Sequence, residues 1–265
     1  MLVGATGSIS AKDSIESLRK NAQLEARLER APKTLVNKNG IPENRGVIIA
    51  SGQSAVTCET PSLIYRILRD NGYDSSEIFV LDFDGIETML YPSDGKATSE
   101  NIHKVMAHLK RMSGPEDGLF VYVASLMTRD EKGKSALGMT QDDKYSVGDL
   151  MERLSNIKGS GLVFIDAENP GPAIRTEAVK EKVDLTKYTF IAPSRENSNS
   201  QAVTTLLELY ALKKAGYVQK NRNPTVETMT DLYREIVGFR SKEHPFEVIS
   251  EREIGGKQIF IAKPD

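Results

Sequence analysis

Cysteine, tryptophan and histidine are scarce in this 265-residue chain, which has one Cys, no Trp and three His. The single cysteine, Cys58, excludes an intrachain disulfide framework and a zinc site built from several thiolates, and it is typical of a protein in a reducing compartment. Histidine is the usual general base and metal ligand of enzymes, so three histidines leave few ways to build such a site. The sequence therefore favours a cytoplasmic protein with limited acid–base chemistry.

A strong charge of either sign and long apolar runs are also missing. The 35 Lys and Arg residues oppose 37 Asp and Glu residues, for a net charge of −2, so the positive field that non-specific nucleic-acid binding needs is absent. A membrane-spanning helix would need about 18 consecutive apolar residues, and the first ten residues lack the basic and apolar parts of a signal peptide. We expect a soluble protein that binds no nucleic acid and spans no membrane.

Short apolar runs alternate with segments of helical periodicity after residue 46. This alternation predicts right-handed crossovers and a mainly parallel sheet of about six strands, covered by helices on both faces as a three-layer αβα sandwich. The predicted strands are 47–50, 78–81, 119–124, 162–165, 188–192 and 258–262, with a hairpin partner at 247–253, and the predicted helices are 61–71, 99–112, 147–154, 201–215 and 226–237.

The first 45 residues differ in composition from the rest. Residues 12–30 are almost all helix formers with only a weak apolar stripe, which favours a solvated helical arm over a partner-binding helix. Residues 37–45 are rich in Asn, Gly and Pro and predict a linker. We therefore divide the chain into an arm and linker over 1–45 and an α/β domain over 46–265, whose segment from about 216 is an extension.

Polar residues follow the predicted strands at the carboxyl edge of the sheet, where parallel α/β folds bind their ligands. The first strand is followed by Ser51-Gly52-Gln53-Ser54 and by no Gly-rich phosphate loop, which disfavours a nucleotide-binding Rossmann enzyme. No cofactor is expected. The polar residues at the predicted strand ends are Ser51, Gln53, Asp82, Asp84, Ser125, Asp166, Glu168 and Glu196.

Four segments of this region carry motifs: VIIASGQS at 47–54, IFVLDFD at 78–84, GPED at 114–117 followed by LFVY at 119–122, and LVFIDAENPG at 162–171. Taken in order, they resemble the legumain-type branch of the caspase-like cysteine peptidases. The stretch from GPED to LFVY, similar to the segment leading into that family's third strand, is the most specific. The resemblance covers about residues 46–215 and implies a caspase-like fold.

The two catalytic positions of that family hold other residues here. The resemblance places Leu126-Met127 where the family has the His-Gly that ends its third strand, and Ala167-Glu168 where it has the Ala-Cys that ends its fourth. A leucine cannot take a proton from a nucleophile, and a glutamate is a poor nucleophile toward an amide. Met127 also adds a side chain where the family's backbone approaches the substrate. The resemblance therefore implies a pseudopeptidase without its His and Cys.

A residual cysteine peptidase is one alternative. Cys58 follows the first predicted strand at the carboxyl edge, but His103 and His108 share one predicted helix and His244 lies in the C-terminal part. The histidine pair is five residues apart, which does not match the spacing of ligands on one helix face. A thiol without an electropositive partner is more often an inert core or surface group than a nucleophile.

An enzyme that uses the strand-end carboxylates is a second alternative. Asp82-Phe83-Asp84-Gly85 resembles the first motif of haloacid-dehalogenase-type phosphatases, with Ser125 as its second motif, although that family's nucleophile follows the first core strand. Carboxylates at these positions could also hold Ca²⁺ or Mg²⁺, so Asp82 and Asp84 are the candidate metal ligands, with Asp142, Asp143, Asp166 and Glu168 as further acids. Acidic residues that only close strands in solvent are the favoured interpretation.

The sequence thus predicts a catalytically inactive caspase-like domain that binds a protein partner or assembles with copies of itself. Asp166 resembles the acidic residue that shapes the primary specificity pocket in some caspase-like enzymes, and Leu126 and Glu168 hold the positions of the lost dyad. Solvated loop ends without a function would show the same residue types. The candidate binding residues are Ser51, Gln53, Ser125, Asp166, Glu168 and Glu196.

Overall fold

The computed structural model describes residues 11–30, 43–51, 59–83, 92–167, 173–174, 176, 187–193 and 246–249. Within these ranges the helices are α1 (Ala11–Arg30), α2 (Glu59–Asp70), α3 (Ser99–Met112) and α4 (Val147–Asn156), and a short 3-10 turn spans Ser75–Glu77. The strands are β1 (Asn44–Ala50), β2 (Ile78–Asp82), β3 (Gly95–Lys96), β4 (Gly118–Ala124), β5 (Leu126–Arg129), β6 (Ser135–Gly138), β7 (Lys144–Ser146), β8 (Ser160–Asp166), β9 (Tyr188–Pro193) and β10 (Phe246–Ile249).

The main sheet has seven strands in the order β10-β9-β8-β4-β1-β2-β3. Its neighbouring strands are parallel except for β10, which runs antiparallel to β9. The central strands β1, β2 and β4 are almost entirely buried, as expected for parallel strands covered on both faces. The predicted mainly parallel α/β architecture is confirmed.

Helices cover both faces of this sheet. On one face α2 lies so close to β1 that a Cβ atom at Gly46 would be 2.8 Å from Leu68 Cδ1, so any larger residue there would have to displace the end of the Leu68 side chain. On the other face α1, α3 and α4 pack over a core cluster that includes Val47, Val121 and Val163. The result is the expected three-layer αβα sandwich.

A second, three-stranded antiparallel sheet, in the order β5-β6-β7, was not among the predicted elements. Its first turn is built by Asp130, whose Oδ1 accepts hydrogen bonds from the backbone N–H groups of Lys132 and Lys134, and by Gly133 at φ +74°. Left-handed backbone of this kind favours glycine. The sheet packs on α4 and extends the protein beyond the carboxyl end of β4.

Five of the predicted strands and the helices up to 154 are confirmed, with boundaries shifted by a few residues. The N-cap of α3 is Thr98, whose side chain accepts a hydrogen bond from Asn101 N–H. Strand β10 lies within the predicted hairpin segment 247–253 except for its first residue. The predicted helices 201–215 and 226–237 and the predicted strand 258–262 lie outside the described residues.

The expectation of a solvated N-terminal helix is wrong for the second half of α1. Leu24 is buried in the main core. Arg27 forms an ion pair with Asp94, donates to the backbone carbonyls of Ser76 at 2.8 Å and Ile78 at 2.9 Å, and lies over the Phe79 ring at 4.3 Å. The helix is therefore part of the layer that covers the sheet, because one planar guanidinium contacts charge, carbonyls and ring together.

A buried ion-pair cluster joins the amino ends of three strands. Arg45 on β1 contacts Asp117, just before β4, and also Glu43 and Glu77. The Asp117 carboxylate accepts from Glu43 N–H at 3.0 Å and Gly114 N–H at 2.8 Å, and its backbone carbonyl accepts from Ser160 N–H at 3.1 Å. The GPED motif thus has a structural role, since its Asp holds β1, β4 and β8 at one edge.

We expect Asp117→Ala to lower the free energy of unfolding by about 3–5 kcal/mol, because it leaves the Arg45 charge buried without its most deeply buried partner. Urea denaturation of the full chain would measure this loss. Asp142→Ala, which removes an exposed carboxylate, is the matched control and should change stability by less than about 0.5 kcal/mol. An equal, small effect of both substitutions would contradict the structural role of Asp117.

His108 introduces a dependence of stability on pH. Its ring packs edge-on against Phe79 at 5.3 Å between centroids, and burial, with a smaller contribution from Arg111, lowers its pKa from 6.5 to about 4. The folded protein therefore binds this proton more weakly than the unfolded chain does. The stability that neutral His108 provides is complete above about pH 6.5 and is lost as the pH falls toward 4.

We expect His108→Gln, which does not titrate, to flatten the fall in stability between about pH 7 and pH 5. Urea unfolding of the parent chain and the variant across this range would measure both slopes. Identical slopes would show that other groups cause the acid sensitivity.

Candidate functional site

The candidate site lies where β1, β4 and β8 end side by side. Ala50, Ala124 and Asp166 are register partners across these strands. One position further, Ser51 N–H donates to the Ala124 carbonyl at 2.9 Å and Ser125 N–H donates to the Asp166 carbonyl at 3.2 Å. The two serines predicted as binding residues are therefore neighbours at the carboxyl edge of the sheet.

The strand order gives this position a special status. The chain builds the sheet outward from β1 in one direction through β2 and β3, and from β4 in the other through β8 and β9. The connections therefore diverge between β1 and β4, and open α/β sheets bind ligands in the crevice at such a switch point. Ser51 and Ser125 are the first residues after the two strands that flank it.

The hydroxyl groups of Ser51 and Ser125 differ in their hydrogen bonding. Ser125 Oγ donates to the backbone carbonyl of Gly138 at 2.9 Å and so fastens the small sheet to the end of β4. Ser51 is 5% exposed, and its Oγ has no hydrogen-bond partner among the residues that the structure describes. A buried hydroxyl without a partner costs free energy, so Ser51 offers an unused donor and acceptor at the switch point.

Asp166 is completely buried, and Tyr122 OH donates to its Oδ2 at 3.2 Å. Alternation along β8 places its side chain on the face opposite to Val163 and Ile165, which belong to the core under α3 and α4. Tyr122 on the neighbouring strand β4 therefore holds the carboxylate on the α2 side of the sheet. A ligand would have to enter that side to reach it.

Large apolar side chains are exposed at the same edge. Leu126, directly after Ser125, is 40% exposed, and Phe83, directly after β2, is 54% exposed. Met127 packs against the main core, opposite Leu137 in the small sheet. Strand β5 therefore turns the Met127 side chain toward the core.

The strand-end carboxylates do not converge in the described part of the chain. Asp82 accepts a hydrogen bond from Ser93 Oγ at 3.1 Å and is three strands away from Asp166, which is about 14 Å at the usual strand spacing. Asp143 instead accepts from Ser99 N–H at 2.7 Å at the start of α3. Within the described ranges no three acidic, histidine or cysteine side chains are placed to hold a metal ion.

The histidines of α3 lie in the helix layer. His103 stacks edge-on against Tyr145 of β7 at 5.2 Å between centroids, and burial, with Arg153 as the next cause, lowers its pKa. His108 packs under the sheet on Phe79. Both therefore act as packed helix residues, as predicted. The predicted site residues Gln53, Cys58, Asp84, Glu168, Glu196 and His244 lie outside the described residues.

The sequence matches no model of a known protein family and no curated protein. Across the helices that the structure describes, none has the length and apolar character needed to cross a bilayer. What the site can bind therefore follows from its own groups, which are two neutral hydroxyls, a buried carboxylate and an exposed leucine.

The contrast between the two serines predicts opposite effects of the same substitution. Ser51→Ala removes a buried hydroxyl that has no partner within the described ranges and should raise the free energy of unfolding by about 1 kcal/mol. Ser125→Ala removes the bond to Gly138 and should lower that free energy by about 1 kcal/mol. Urea denaturation of the two variants in parallel would measure both. A loss of stability in Ser51→Ala would mean that its hydroxyl already has a structural partner.

Proposed function

We propose that this chain is a non-catalytic, caspase-like protein-binding module that binds an extended peptide segment of a partner at the β1/β4 switch point. The proposal joins the resemblance to legumain-type peptidases with the geometry of the edge. β4 and β8, the strands that the resemblance equates with those carrying His and Cys, are parallel neighbours. Leu126 follows the first of them, where a peptidase needs its base.

The groups around the switch point favour binding over hydrolysis. Ser51 and Ser125 are neutral, and a serine acts as a nucleophile only beside a general base. Both described histidines lie on α3, packed on Phe79 and Tyr145. Hydroxyls and exposed apolar surface match a peptide, which offers backbone amides and apolar side chains together.

The observation that carries this proposal is the hydroxyl of Ser51, for which the described part of the chain supplies no hydrogen-bond partner. It lies at the place where the strand order predicts a ligand and is kept there at a cost in stability. A bound peptide that supplies one hydrogen-bond partner would remove that cost. Binding sites commonly retain such locally unfavourable groups, because function and stability make different demands on them.

Selection of a displayed library of random linear peptides against the purified full chain tests the proposal. We expect enriched peptides to be bound and not cleaved, as mass spectrometry would show. Ser51→Ala should weaken binding about tenfold, the loss expected for one hydrogen bond, while Asp142→Ala should leave the dissociation constant unchanged.

Three outcomes would overturn the proposal. Failure to enrich any peptide would remove the binding function. Cleavage that stops after thiol alkylation would indicate a cysteine peptidase that uses Cys58. Mg²⁺-dependent phosphatase activity lost in Asp82→Asn would indicate an enzyme that uses the carboxylates.

A further inference from the structure

Strand β5 has one edge that faces away from the rest of the small sheet. Asp130 N–H donates to the Lys134 carbonyl at 2.9 Å, and these residues continue the β5–β6 register. In antiparallel strands, hydrogen-bonded and non-bonded pairs alternate. The backbone groups of Leu126 and Thr128 therefore point toward β6, and those of Met127 and Arg129 point outward.

These outward groups are largely unused in the described part of the chain. The Arg129 carbonyl accepts from Lys144 Nζ at 2.9 Å. Neither the N–H groups of Met127 and Arg129 nor the Met127 carbonyl has a hydrogen-bond partner among the described residues. Unpaired groups at strand spacing form a template with which another extended backbone can pair.

The β3 edge of the main sheet is covered by a helix. There α1 covers the strand, and a Cβ atom at Gly95 would lie 3.7 Å from Leu24 and 3.9 Å from Asn21. No helix of the described ranges covers β5 in this way: its end residues Leu126 and Arg129 are exposed, and Met127 and Thr128 are half-buried. The open edge begins directly after Ser125, so it continues the candidate site.

We propose that β5 is the docking edge of this site and that the partner's extended peptide adds to it as a fourth strand, pairing with Met127 and placing an apolar side chain beside Leu126. This inference rests on the proposed function and specifies how the peptide is held. Main-chain hydrogen bonds to an exposed edge supply affinity in this mode of recognition, and side chains on alternate positions supply selectivity.

A peptide of a partner fits the edge better than a second copy of this chain does. Stable protein interfaces bury about 1,200–2,000 Å², and two paired strands of four residues each fall far below that area. A peptide also continues from β5 toward the Ser51 hydroxyl, which a symmetric pairing of two β5 strands leaves unused.

Arg129→Pro and Arg129→Ala form the decisive pair of variants. Proline removes the outward N–H and no hydrogen bond to β6, a position that strand edges tolerate, whereas alanine removes the side chain and keeps the N–H. A peptide enriched on the parent chain should bind Arg129→Pro at least tenfold more weakly and Arg129→Ala within about twofold. Circular dichroism and urea unfolding would show that both variants fold.

Two measurements keep the test decisive if Arg129→Pro does not fold. Hydrogen exchange of the parent chain should show protection of the Met127 and Arg129 amides when the enriched peptide is added. Leu126→Ser, at a position 40% exposed, should fold normally and weaken binding by about fivefold through lost apolar contact.

The outcomes separate this inference from the proposed function. Peptide binding that is weakened by Ser51→Ala, is equal in Arg129→Pro and Arg129→Ala, and leaves the Met127 and Arg129 amides unprotected would overturn docking at β5. The proposed function as a peptide-binding module would then still stand. Failure to enrich any peptide would overturn both. A concentration-dependent dimer that Arg129→Pro abolishes would assign the edge to a second copy and overturn the peptide proposal.

Discussion

The buried contact between Arg45 and Asp117 is the constraint on which the sheet depends. A guanidinium and a carboxylate that are both almost fully buried are costly to remove from water, and further hydrogen bonds to the pair offset part of that cost. Asp117 supplies such bonds, because its carboxylate accepts from two backbone N–H groups while its backbone carbonyl accepts from a third strand. The amino ends of β1, β4 and β8 are therefore fixed relative to one another, and with them the register that brings Ser51 beside Ser125 at the opposite edge.

The strands of the main sheet were predictable because each is a nearly continuous apolar run, which is what burial on both faces requires. Strand order was not, since no local pattern tells which run pairs with which. The small sheet was missed because its strands are only three or four residues long and mix polar with apolar side chains. The docking of α1 was missed for a related reason: Arg27 contacts groups that lie 48 or more residues further along the chain, and a weak apolar stripe carries no sign of them.

The candidate site shows the same division between local and non-local information. Polar residues at strand ends, among them Ser51, Ser125 and Asp166, could be found from the sequence because each strand is an apolar run whose end is visible in the sequence. That Ser51 and Ser125 are adjacent, that Asp82 is remote and that Asp143 caps a helix all follow from pairing and packing. The unused hydroxyl of Ser51 and the open backbone of β5 left no sequence signal at all, because an absent hydrogen bond is a property of the folded neighbourhood and not of a residue type.

The position of α1 has a consequence for the order in which the protein is made. This helix is the first described element to leave the ribosome, yet the groups that Arg27 binds, from Ser75 to Asp94, are synthesised several dozen residues later. An isolated 20-residue helix with few apolar contacts is marginally stable in water. During synthesis α1 therefore waits without its partners until β2 and β3 have emerged, and Leu24, which is buried in the folded protein, is exposed to other chains for that interval.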